Sequence, residues 1–249
     1  MSINRFQEEI SFHDKRFSKD DNLVKKTGKY YSVAISATKK FKELVYQVCN
    51  GGNLLEYGCG TGSNSQEWIK HGANLTGIDI SHEGIQKAKA KLHNCGEKAH
   101  FYVMNAEKTN FDSEYVDVIV GSAILHHLDL NRTYAELSRI LNSDGRAVFL
   151  EPLGKNPIIN LYRKFTPSLR TKNEHPLIEK DIKMAKKYFK KVEEYYYNLF
   201  TLFSIPFRNT IFFNPMFNFF QLIDRLLFKI PFIRKYAWIV ILCLSEPIK

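Results

Sequence analysis

The stretch from Leu54 to Ser63 constrains this chain more than any other: a short apolar strand runs directly into glycines at Gly58, Gly60 and Gly62. Glycine at alternate positions permits a tight strand-to-helix turn. It also removes the Cβ atoms that would hold a ligand off the backbone. A polar, weakly helical run, residues 64–71, follows. The first turn of such a helix presents unpaired N–H groups and the positive end of its dipole. Together these features describe an α/β chain with a nucleotide-type site at the carboxyl end of its first strand.

Spacing narrows the nucleotide. A dinucleotide fingerprint reads G-x-G-x-x-G; here the glycines alternate, and an acidic residue, Glu56, stands two positions before the first. Residues 74–79 read as a second strand ending in Asp79, about 20 residues past the glycine loop, where a ribose-binding acid is expected. A carboxylate there can accept from both ribose hydroxyls. Its plainer role is to cap the helix that begins near Ser81 or His82. Glu56 with Gly58, Gly60 and Gly62, followed by Gly77, Asp79 and Ser81, resembles the first two motifs of the class I, seven-stranded S-adenosylmethionine-dependent methyltransferases. The later pair His126-His127 is similar to the branch that includes the ubiquinone and menaquinone enzymes.

The resemblance implies S-adenosyl-L-methionine as the cofactor. It places Glu56, Gly58, Cys59, Gly60 and Gly62 around the methionine and ribose parts, and Asp79 and Ile80 at the ribose. Asn105 and Ala106 fall at the adenine, although aspartate is commoner than asparagine at that first position, and Ser122 completes the set.

Further strands are expected at residues 100–104, 115–121 and 145–150, with helical patterns at 83–92 and 133–141 between them. This alternation argues for a parallel sheet covered on both faces. Residues 191–202 and 236–244 suit a sixth and a seventh strand, the last antiparallel. The expected fold is therefore a doubly wound, mostly parallel seven-stranded α/β sheet with a helical N-terminal cover. A hydrophobic helical insertion falls between the last two strands. One domain spans 1–249: cover and first helix in 1–50, cofactor-binding core in 51–155, acceptor-side cover in 156–190, and the last strands in 191–249 with the insertion at 204–234.

Within the insertion, Phe219, Leu222, Ile223, Leu226 and Leu227 recur at helical spacing, and Asn218, Gln221, Arg225 and Lys229 gather on the other face. A lid over an apolar acceptor, an in-plane membrane foot, a dimer interface and plain packing on the sheet are all compatible with that pattern. The formal charge of +10, with Lys186, Lys187, Lys190 and Lys191 clustered, favours an anionic partner such as a membrane surface, or simply a solvated basic face. Four scattered cysteines form no C-x-x-C, so neither a zinc knuckle nor a disulfide framework is indicated, and no metal is expected. The first ten residues lack the apolar region of a signal peptide. No apolar run approaches bilayer-spanning length. The expected setting is cytoplasmic, with the inner membrane face as an alternative perch.

Methyl transfer from a sulfonium needs an oriented acceptor, and a base only when that acceptor arrives protonated. His127, His126 and Glu151 fall at the ends of strands four and five, where such a base belongs. Phe12, His13, Asp14, Phe17 and Tyr30 precede the first strand as cover residues. Tyr31, Tyr162, Arg163 and His175 are the expected acceptor-side residues. A small or lipid-like acceptor, methylated on oxygen or nitrogen, is the first reading. An RNA substrate is favoured only by charge: the Asn/Asp-Pro-Pro-Tyr/Phe segment of base methylators is absent after strand four, and Asn214-Pro215-Met216-Phe217 lies elsewhere. DNA is not an expected partner, and a silent cofactor-binding protein is the third alternative.

Overall fold

The computed structural model describes residues 3–18, 32–167, 171 and 174–249. Five parallel strands, β1 (Asn53–Tyr57), β2 (Asn74–Asp79), β3 (Ala99–Val103), β4 (Val116–Ser122) and β5 (Leu141–Pro152), are followed by β6 (Phe189–Tyr197) and β7 (Ile239–Pro247). They assemble in the order β3-β2-β1-β4-β5-β7-β6, and β7 runs antiparallel to both neighbours. The strand order reverses between β1 and β4, which opens a crevice at their carboxyl ends.

Alternation along the strands explains why helices cover both faces. Leu55, Tyr57, Ile119, Phe149 and Leu242 enter one core, while Leu54, Val118, Val120, Val148 and Ile241 enter the other. Helices α2 (Ile35–Tyr46), α3 (Ser65–Lys70) and α4 (His82–Lys91) bring Phe41, Trp68 and Ile85 to the second core. Helices α5 (Leu130–Ile140) and α7 (Glu179–Ala185) bring Tyr134, Leu137 and Ile182 to the first. Helix α6 (Pro157–Phe165) lies between β5 and α7 in the chain, and α1 (Ile3–Ser18) supplies the expected N-terminal cover.

Several expected boundaries move, and the fifth strand runs over Leu141–Pro152 rather than 145–150. The sixth strand stops at Tyr197 rather than continuing to 202, because Asn198 turns into the left-handed region (φ 66°) and a 3-10 helix takes over at Phe200–Phe207. The seventh begins at Ile239 and reaches Pro247. Tyr197, Ile239 and Pro152 are in register across β6, β7 and β5. The insertion therefore leaves the sheet on the same rim as the glycine loop, three strand spacings, or about 14 Å, from β4.

The insertion helix α8 (Phe213–Leu227) faces differently from the pattern expected of it. Phe217 and Asp224 are buried on it, and Phe219, Leu222 and Leu226 are exposed. Asp224 supplies the physical reason. Its carboxylate accepts the N–H groups of Leu199, Phe200 and Thr201 at 2.6–3.2 Å and the Thr201 hydroxyl at 3.0 Å. It thereby pins α8 across the chain reversal after β6. The short helix α9 (Pro231–Arg234) then leads into β7.

Replacing Asp224 by Ala leaves those donors buried without an acceptor, which costs roughly 3 kcal/mol. Asp224→Asn, which keeps one acceptor oxygen, should lose less. Urea denaturation measures both, and a loss below about 1 kcal/mol for the alanine variant contradicts the pinning role.

Candidate functional site

The glycine loop closes through backbone geometry that side chains would spoil. Gly58, Gly60 and Gly62 all have φ between 51° and 68°. A Cβ on Gly58 would come within 2.8 Å of Ile124, and one on Gly60 within 3.0 Å of Phe17. Asp79 holds the loop: Oδ2 accepts the Gly60 N–H at 2.9 Å, and Oδ1 accepts the Ser81 N–H at 2.8 Å. The cap of α4 is the Ser81 hydroxyl, which accepts from Gly84 at 3.0 Å, so Asp79 is not spent as a helix cap. Burial pushes its carboxyl up from the ordinary aspartate value, against the two backbone N–H groups.

A cavity of about 290 Å³ lies in front of this loop. Gly58, Cys59, Gly60, Asp79, Ile80, Asn105, Ala106 and Ser122 line it, as the sequence led us to expect. Gly62 and Glu56 do not. Gly62 lets the loop pack on Ala88 of α4 and on Leu92 just past its end. Glu56 points behind the loop, where it accepts from the Ser65 hydroxyl and from Trp68 Nε1 at 3.3 Å. It acts as a buried brace between β1 and α3 rather than as a group facing a ligand. Asn105 lines the cavity while its side-chain oxygen accepts the Glu107 N–H at 2.9 Å.

The opposite wall comes from α1 and from the turn after β4. Phe6, Glu9, His13 and Phe17 face the cavity from α1, and Ile124 and His127 from the turn. Ala123 in that turn adopts φ 55°, a strained conformation for a residue with a Cβ. Glu151 at the end of β5 holds it there. Its Oε1 accepts the N–H groups of Ile124 and Leu125, each at 2.9 Å, and its Oε2 lies 2.8 Å from His126 Nδ1. Of the three residues expected to act as acid or base, only His127 reaches the cavity. His126 and Glu151 are buried supports that position it.

The expected acceptor-side residues do not converge here. Arg163 donates to the Leu153 carbonyl and to Asn160, at 3.0 and 2.9 Å. Tyr162 sits beside it on α6, and neither lines the cavity. The exposed His175 contributes its backbone N–H to the His126 carbonyl at 3.0 Å. Tyr31, with Tyr30, lies outside the described residues. A connector rich in polar side chains looks like a binding loop in sequence, yet here those groups tie α6 to the sheet.

Glu9 was missed, and His13 entered only as a cover residue. The clue available is their i, i+4 spacing on an N-terminal helix that also carries Asp14 and Phe17. Asp14 fastens α1 to the start of α4 through the Ser81 hydroxyl, at 2.5 Å, and the Glu83 N–H. Burial alone would raise the Glu9 carboxyl, but His127, His13 and Thr171 around it hold it well below the usual carboxylate range. Burial pushes His127 below the ordinary histidine value, against the raising effect of Glu9.

Residues 55–149 match a family model described as a methyltransferase domain. An uncharacterized methyltransferase of Bacillus cytotoxicus is 31% identical over 119 residues, 45% of this chain and 54% of that protein. The ubiquinone biosynthesis O-methyltransferase of Nitrosomonas europaea is 30% identical over 111 residues, 44% and 47% of the two chains. The chain thus spans about half the length of the curated relatives it matches. Geranyl diphosphate C-methyltransferase from Streptomyces coelicolor superposes with a TM-score of 0.61 at 13% identity, over 85% of this chain and 79% of that one. Phosphoethanolamine N-methyltransferase 2 of Haemonchus contortus does so at 0.58 and 14% identity, over 80% and 50%. At those identities the likeness is one of fold. Residues 55–149 thus carry a methyltransferase domain, and the seven-stranded α/β sheet around it is the fold shared with the solved methyltransferases.

Complete burial pushes the Glu56 carboxyl up to about 7. A carboxyl raised on folding stabilises the folded chain below its ordinary value of 4.5, and that contribution is lost as pH rises through about 7. The stability of the ligand-free chain, measured relative to Glu56→Gln, should therefore fall by roughly 3 kcal/mol across that window. Denaturant titrations at several pH values test this; a difference independent of pH contradicts the buried-brace description.

Proposed function

We propose that the chain moves a methyl group from S-adenosyl-L-methionine to an oxygen or nitrogen of a small, amphipathic acceptor, lipid-like or natural-product in character. One observation carries the reading: a single cavity has the glycine loop and Asp79 on one wall and Glu9, His13 and His127 on the other. The residues present suit the cofactor. Asp79 spends one interaction per oxygen on backbone, which leaves acceptor capacity for ribose hydroxyls. The cradle at Gly58 and Gly60 is kept open by the missing Cβ atoms, and Asn105 and Ala106 edge the far end for adenine.

S-adenosyl-L-methionine supplies a methyl group on a cationic sulfur, already a good leaving group. The chain's own task is to orient the acceptor and keep water out. Phe6, Phe17, Met104 and Ile124 supply apolar walls for that purpose. His127, with Glu9 and His13 beside it, supplies the polar groups on the acceptor side. Glu151 and His126 fix the turn that carries it, so a hydroxyl or ammonium acceptor would give up its proton toward the His127 ring.

Incubation with methyl-labelled cofactor and cell extract tests the class of acceptor. Label should enter the lipid-extractable fraction; label confined to RNA supports the nucleic-acid reading instead, and no transfer at all supports a silent binding protein. Asp79→Ala should abolish the thermal stabilisation that the cofactor gives the wild type, and full stabilisation in the variant contradicts the assigned cofactor site.

The insertion supports an amphipathic acceptor. Ile211, Phe212, Phe219, Leu222, Leu226 and Phe232 are each more than half exposed. Between residues 200 and 236 the basic residues are Arg208, Arg225, Lys229, Arg234 and Lys235, and the one acid, Asp224, is buried and bonded to backbone. Apolar surface with cations around it favours the boundary of an anionic bilayer. Among the described residues no helix is long and apolar enough to cross a membrane, so contact of this kind would lie in the plane of the surface. The chain should float with vesicles containing phosphatidylglycerol, less so at high salt, and the variant Phe219→Ser/Leu222→Ser/Leu226→Ser should stay at the bottom of the gradient. Failure of the wild type to float, with dimers seen by light scattering and lost in that variant, makes the face a subunit interface.

A further inference from the structure

Both carboxylate oxygens of Glu9 are buried, and among the described residues neither has a hydrogen-bond partner; Nδ1 of His127 is in the same state. An ionised carboxylate in that position demands a compensating charge. The surroundings place two imidazoles and the Thr171 hydroxyl on it instead. Glu9 Oε2 lies 3.4 Å from His127 Nδ1 and 3.5 Å from His13 Nε2. One ligand atom from each of the three residues falls within 4.8 Å of the others. At 3.4 and 3.5 Å these contacts lie outside the range of about 2.7–3.2 Å of a well-formed N–H···O hydrogen bond. They do match the edge of a tetrahedron around a small divalent ion, whose ligand atoms at bonds of about 2.0–2.1 Å stand about 3.3 Å apart.

The geometry points to a divalent-metal site of the zinc type at Glu9, His13 and His127, a two-histidine, one-carboxylate set with its remaining position open to the cavity. Each ligand is held from behind. Glu9 and His13 stand one turn apart on α1, which Asp14 fastens to the start of α4. His127 sits in the turn clasped by Glu151, and Arg5 donates to its carbonyl at 2.6 Å. Such supports orient first ligands and sharpen metal affinity. A second grouping, His126, His127 and Glu174, shares His127, but its His126 Nε2 to Glu174 separation of 3.8 Å is wider than either separation in the Glu9 set. That leaves the Glu9 set as the better-formed one. Cysteine spacing offered no hint of it because no cysteine takes part. Resting on the methyltransferase reading, the open position would take an oxygen of the acceptor, since the cavity continues from there to the glycine loop.

The test uses the whole chain, stripped with a chelator and titrated with zinc chloride in a calorimeter. One tight zinc per chain is expected, with affinity reduced at least about 100-fold in Glu9→Gln and in His13→Gln, and unchanged in His93→Gln at an exposed histidine outside the cavity. Circular dichroism checks that the variants fold. Cobalt loading of the wild type gives a readout that needs no variant: an intense visible band of four-coordinate cobalt supports the site. A pale six-coordinate spectrum, absence of zinc binding, or binding that survives both α1 substitutions overturns it. Cofactor binding measured on the same samples separates the claims. Intact cofactor binding without zinc removes the metal site alone, whereas zinc binding without cofactor binding removes the methyltransferase reading.

Discussion

Asp79 accepts the N–H of Gly60 from one oxygen and that of Ser81 from the other, and the rest of the site depends on this bond. It joins the loop after β1 to the end of β2, so the glycine turn is held by its neighbour as well as by its own conformational freedom. The same device recurs along the rim. Glu151 accepts from the turn after β4, Asp224 from the reversal after β6, and Glu107 from Asp129 at the start of α5, at 2.8 Å. Buried carboxylates receiving backbone N–H groups are strong, directional fasteners. Here they convert irregular segments into rigid walls.

Rigidity at the rim has a purpose that the sheet defines. The reversal of strand order between β1 and β4 leaves a crevice no crossover helix covers, and α1 closes it from outside. The two walls of the cavity therefore come from different parts of the chain: the glycine loop with Asp79, and the pair α1 with the turn after β4. The strain at Ala123 lies where these meet, and the Glu151 clasp is what maintains it.

The sheet and the glycine-loop wall of the cavity were legible in the sequence because their determinants are local. Alternating apolar residues, three glycines and a carboxylate at the end of a strand carry their meaning within a few positions of one another. Glu56 shows where this stops. Its place before the glycines is a local fact, but its direction is set by Ser65 and Trp68 on a helix whose packing the spacing does not reveal. Asp224 is a second case: hydrophobic periodicity assigns a helix face by its apolar residues, and a single buried acid with three backbone partners overrules it. Glu9 and His127 are 118 positions apart in sequence and meet only through the docking of α1. Arg163 and His175 erred in the opposite direction, since polar side chains in a connector serve structure as readily as binding.

The central claim is that one cavity, between the glycine loop and the α1 wall, holds the methyl donor. A crystal structure of the chain with S-adenosylhomocysteine tests it most directly. The account predicts ligand density in that cavity, with the ribose hydroxyls on Asp79 and the homocysteine end directed toward His127. Density at any other place on the chain, or ribose contacts that bypass Asp79, would contradict it.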